Sequence, residues 1–173
     1  MKSLKILFIS SILSLFFLLN ISSAMYNNSV LDTIKPNEAD IPEGYCYGIV
    51  PDFAKNMLKE NPWNLDSNAL NRFVHRVYPD ADKNKMSAVH MTIIANKKNP
   101  YNDDIVCYIF IYKDKTSAEK EIEKLKNFVG YNNDRGIVLN RDNLAVYLLI
   151  DNTNEYRHIE SISRSIQKRI DAL

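Results

Sequence analysis

Hydrophobic positions divide this 173-residue chain into stretches of different period. From Ile6 to Leu19 they run almost unbroken, interrupted by Ser10, Ser11 and Ser14. Beyond Tyr45 the spacing becomes helical. Phe53, Ala54, Met57 and Leu58 follow Pro51, a residue suited to the first turn of a helix, and stop before Asn61-Pro62. Leu70, Phe73, Val74 and Val77 then repeat at i, i+3, i+4 and i+7; Asp66 or Ser67 can cap this second helix and Pro79 ends it. Two runs of strand character come next, Ala88 to Ala95 and Ile105 to Tyr112, joined by a polar stretch from Lys97 to Asp104. Thr116-Ser117-Ala118-Glu119 has the form of a capping box, Ala118, Ile122, Leu125 and Val129 supply the buried stripe of the helix it opens, and Gly130 is placed to end that helix.

The same order then recurs: a short strand at Ile137 to Leu139, a turn at Asn140 to Asn143, a strong strand at Leu144 to Ile150, and a helix carrying Ile159, Ile162, Ile166, Ile170 and Leu173. Tyr108 and Tyr147 occupy matching places 39 residues apart, which suggests a weak internal duplication. The expected fold is α+β. Two N-terminal helices precede two strand-strand-helix units, which form one four-stranded, largely antiparallel sheet with the helices packed on one face.

The apolar run near the start has another meaning. Lys2 and Lys5 precede it, and Ser22 and Ala24 stand three and one residues before a cleavage point after Ala24. Residues 1–24 therefore read as a secretory signal peptide, and at 14 residues the run is shorter than the roughly 20 needed to span a bilayer as a retained anchor. Residues 25–44, with Asn27, Asn28, Pro36, Pro42 and Gly44, read as a poorly ordered arm, and residues 45–173 as a single α+β domain. The expected location is secreted or periplasmic, with no integral membrane segment after cleavage. Export would let Cys46 and Cys107 form a disulfide, stabilising by on the order of 4 kcal/mol for a loop of about 60 residues. Two buried free thiols are the alternative.

Composition narrows the classes further. Lys plus Arg (22) nearly balances Asp plus Glu (21), so there is no basic field for nucleic acid. Four glycines leave little scope for a phosphate-cradling loop, and neither Cys has a second Cys or His at ligand spacing. No cofactor and no metal is implied.

Alternation along the strands separates two sets of side chains. Val89, Met91 and Ile93, with Ile105, Cys107, Ile109, Ile111, Leu144, Val146, Leu148 and Ile150, make an aliphatic face on which the two long helices are expected. The other face collects His90 and Thr92 with Tyr108, Phe110, Tyr112 and Tyr147. Tyrosine combines apolar area with a polar tip, so this face suits a ligand, an unidentified protein partner, or self-association through the sheet. Burial under the first two helices is the competing expectation.

His90-Met91-Thr92, flanked by apolar residues within Ala88 to Ile94, resembles the His-x-Thr motif of the two-histidine phosphoesterases. That resemblance implies a histidine acting as acid or base and a threonine orienting phosphate. The family uses two such motifs. Here His75 precedes Arg76-Val77 and His158 precedes Ile159-Glu160, so a second is missing. The sequence thus favours a non-enzymatic binding or accessory module using the aromatic sheet face, with a small hydrolase using His90 and Thr92 as the alternative.

Overall fold

The computed structural model describes residues 29–48, 62–99 and 104–173. The proposed signal peptide, the helix expected after Pro51 and part of the loop before Asp104 lie outside them. The chain divides into two units, Met1–Ile34 and Lys35–Leu173. In the first, residues 29–34 are helical, and Thr33 Oγ1 donates to the Ser29 carbonyl at 2.9 Å. All that follows concerns the second.

Its centre is a six-stranded antiparallel sheet, so the α+β class holds with two more strands than the pattern predicts. The strands are β1 (Tyr45–Tyr47), β2 (Trp63–Asn64), β3 (Met86–Asn96), β4 (Ile105–Tyr112), β5 (Gly136–Arg141) and β6 (Leu144–Ile150). Their order is β1-β3-β4-β6-β5, and β2 joins β1 on the outer edge of β3. At three and two residues, β1 and β2 are too short for alternation to reveal; only their pairing with β3 makes them strands. Asp142 closes the β5–β6 hairpin at φ 49°, a left-handed conformation that Asp tolerates.

Among the described residues three helices pack on the sheet: α1 (Ser67–Arg76), α2 (Lys115–Gly130) and α3 (Arg157–Asp171). They cover both faces, which corrects the one-sided layer. Phe73 of α1 and Ala118, Ile122, Leu125 and Val129 of α2 share one core with Tyr108, Phe110, Tyr112 and Tyr147. The isoleucine stripe of α3 (Ile159, Ile162, Ile166, Ile170) is buried, and Arg141, whose register partner is Leu144 in the aliphatic row, donates to the Ile170 carbonyl. Strand order accounts for the placing of α2. It links β4 to β5, which run parallel with β6 between them, and crossovers between parallel strands have a fixed hand that dictates the helix face.

Asp66 caps α1 as expected, accepting from the Ala69 amide at 2.8 Å. The cap of α2 is Asp114, two residues before the Thr116 of the predicted box; its carboxylate accepts from the Ser117 amide at 2.7 Å and from the Ser117 hydroxyl at 3.0 Å. Residues 35–44, expected within a poorly ordered arm, are built onto this body. A 3-10 turn at Glu38–Asp40 is capped by Asn37, and Asp40, with only 3% of its side chain exposed, accepts from Arg169 of α3 at 2.7 Å. Tyr47 adds a hydrogen bond to the Pro36 carbonyl at 2.6 Å.

Candidate functional site

Register decides where each chemically interesting side chain sits. Val89 stands opposite Phe110 and Met91 opposite Tyr108, whereas His90 faces Ile109 and Thr92 faces Cys107. Directly opposed residues of an antiparallel pair share a face. His90 and Thr92 therefore lie on the aliphatic side, and Val89 and Met91 belong with the tyrosines, reversing the assignment made from alternation. Alternation sorts a strand into two sets correctly but does not say which set meets which across the ladder. A bulge between Met86 and Ala88 resets the relation again, placing Met86 opposite Tyr112.

The same register separates the cysteines. Cys46 pairs with Ala95 on one side of β3 and Cys107 with Thr92 on the other, two strands and three residues apart, or about 14 Å. Their side chains also point to opposite faces. A bridge needs Cα atoms within roughly 7 Å, so the expected disulfide is corrected to two free thiols. Burial pushes the Cys107 thiol well above its ordinary pKa, leaving it protonated and inert.

Around His90 the chemistry is sparse. The ring is buried and burial lowers its pKa, which favours neutral imidazole; the Thr92 hydroxyl is buried with no hydrogen-bond partner. A second histidine does not reach it. His75 is on α1, which covers the other face. His158 packs edge-on to Tyr45 at 5.4 Å and lies 3.4 Å from Glu155, beside the β3 end at Asn96, about 20 Å from His90 along the strand. Among the described residues no group of three or more His, Cys, Asp or Glu is placed to hold a metal.

The aromatic rows form a ladder. Tyr108 stacks between Phe110 at 6.3 Å and Tyr147 at 6.1 Å, Tyr112 continues beyond Phe110 at 6.3 Å, and Phe73 lies over Tyr108 at 4.8 Å and Phe110 at 5.7 Å. Pairs of this kind contribute about 0.5–1.5 kcal/mol each beyond area burial. Most of the ladder is sealed: Phe110, Tyr112 and Tyr147 are buried under α1 and α2. Polar contacts fix the seal, with the Tyr78 hydroxyl donating to the Glu121 carbonyl at 3.0 Å and the buried Glu121 carboxylate accepting from the Asp82 amide at 2.9 Å and from Lys124 at 2.7 Å.

One end stays open. Between α1 and β3–β4 lies a cleft of about 260 Å³, floored by Phe73, Met91 and Tyr108 and walled by Leu65 and Ala69. Arg72 and Arg76 stand one helical turn apart on its rim, with Asp66 at the far end of α1. Among the described residues the buried hydroxyl without a hydrogen-bond partner on this face is that of Tyr112; Tyr108, 6% exposed, lines the cleft. Burial, reinforced by Tyr147 and Asp151, raises its pKa, so it stays a neutral donor. The sequence reading singled out Tyr108 but missed Met91, Arg72 and Arg76. The arginines had a signal, since they flank the apolar stripe of α1 at i and i+4; Met91 had none before the register was known.

No family model, no curated protein and no solved structure matches this chain. Fold and cleft must be read from their own geometry. No helix among the described residues is long and apolar enough to cross a membrane.

Proposed function

We propose that the protein is a binding or accessory module whose ligand site is the cleft at the open end of the aromatic ladder, and that it works after export directed by residues 1–24. The observation that carries the site is the cleft itself, whose apolar floor of Phe73, Met91 and Tyr108 is rimmed by polar side chains of α1. Small-molecule sites combine this apolar lining with a few placed polar groups.

The aromatic face as a whole does not serve as an open platform in this reading. Phe110, Tyr112 and Tyr147 hold α1 and α2, and only Tyr108 with Met91 is offered to a ligand. Titration of the full chain with a neutral probe, 2-naphthamide, followed by line broadening of cleft methyl and aromatic resonances, tests the site. Binding abolished by Ala69→Trp, which fills the cleft from α1, is the expected result. Binding that survives this substitution, or no binding in the parent chain, overturns the reading.

A further inference from the structure

We infer that the cleft selects small aryl or alkyl carboxylates, with the apolar body over Phe73 and Met91 and the carboxylate toward Arg76. The inference rests on the cleft being the ligand site and adds its chemistry. Three features point the same way. First, two cations share the rim. Arg72 and Arg76 are exposed one helical turn apart on α1, and Arg76 has no ion-pair partner among the described residues.

Second, the charge is polarised along the cleft. Asp66 and Arg76 are ten residues apart on the helix, about 15 Å, and the Asp66 carboxylate is engaged at the helix start with the Ala69 amide. An anion thus meets attraction at one end alone. Third, the space between is apolar and narrow. A cleft of about 260 Å³ has room for a one- or two-ring body. Arginine is also the side chain best matched to a carboxylate, since its planar fork makes two parallel hydrogen bonds. The Tyr108 hydroxyl supplies one further donor for a polar substituent on the body.

The test compares 2-naphthoate with 2-naphthamide on the full chain, in the parent and in Arg76→Ala, Tyr108→Phe and Ala69→Trp. The acid should bind at least tenfold tighter than the amide at low salt, with the preference shrinking as ionic strength rises. Arg76→Ala should remove the preference by weakening the acid far more than the amide, Tyr108→Phe should change neither ligand by more than about twofold because neither carries a substituent on its ring body, and Ala69→Trp should abolish both. Equal affinity for acid and amide in the parent overturns the carboxylate assignment while leaving the cleft as a site. Loss of amide binding in Arg76→Ala also overturns it, because the arginine would then be serving as structure. If neither ligand binds, or if Ala69→Trp changes nothing, the cleft itself is the wrong place.

Discussion

The two faces of the central sheet are both buried, yet they are built from different chemistry and end differently. On the aliphatic face, Ile105, Ile109, Val146, Leu148 and Ile150 are fully covered, and the isoleucines of α3 are buried with them. Branched aliphatic side chains interdigitate at crystal-like density and have no polar tip to place, so such a layer closes completely. On the aromatic face, Tyr108, Phe110, Tyr112 and Tyr147 stack along and across the strands, and each tyrosine carries a hydroxyl that needs a destination. Tyr78 finds the Glu121 carbonyl, the buried Tyr112 hydroxyl has no partner among the described residues, and Tyr108 lines the cleft.

The sharpest way to break this comparison is to truncate one residue from each side. Phe110→Ala should cost about 3–5 kcal/mol and Leu148→Ala about 2–5 kcal/mol by denaturant unfolding. A cost below about 1 kcal/mol for Phe110→Ala would mean the aromatic face is not core. Next comes the anchor linking the 3-10 turn to α3. Asp40→Ala leaves the Arg169 guanidinium partly buried beside an empty place and should cost about 3 kcal/mol, read the same way.

Smaller effects sharpen the contrast between satisfied and unsatisfied hydroxyls. Tyr78→Phe should cost about 1 kcal/mol, since it loses a buried hydrogen bond, whereas Tyr112→Phe should change stability by less than about 0.5 kcal/mol. A larger loss at Tyr112 would show that its hydroxyl has a protein partner. His90 gives the pH test of the aliphatic side. Its folded pKa is depressed by burial, so the unfolded state binds the proton more readily and stability falls as pH drops from the unfolded value of 6.5 toward the lower folded one. His90→Gln should flatten that part of the stability curve; an unchanged slope would assign it elsewhere. The smallest effect is expected from reducing agent. With Cys46 and Cys107 free, it should leave the melting temperature unchanged, and a thiol reagent should label half-buried Cys46 well before Cys107.

Much of this architecture was legible where side-chain period and packing agree. Leu70, Phe73 and Val74 mark α1, Ala118, Ile122, Leu125 and Val129 mark α2, and the α3 isoleucines mark the last helix, because a helix must bury one stripe whatever it packs against. The capping of α2 was half legible. Thr116 and Glu119 fit a capping box, but Asp114 takes the role because its carboxylate reaches the Ser117 amide, and a sequence offers both choices equally. The site was less legible still: Tyr108 stood out as a half-polar aromatic in an apolar strand, while Met91 looked like any other core residue.

The sequence by itself determined the strong strands, the three helix stripes and the division of each strand into two sets of side chains, since all of these follow from local period and the cost of exposing apolar surface. Tertiary structure alone decided which sets met. Sliding or bulging a ladder by one residue changes no local preference but moves every side chain to the other face. That choice sent His90 and Thr92 to the aliphatic layer, set Cys46 and Cys107 apart on opposite sides, and put Met91 beside Tyr108.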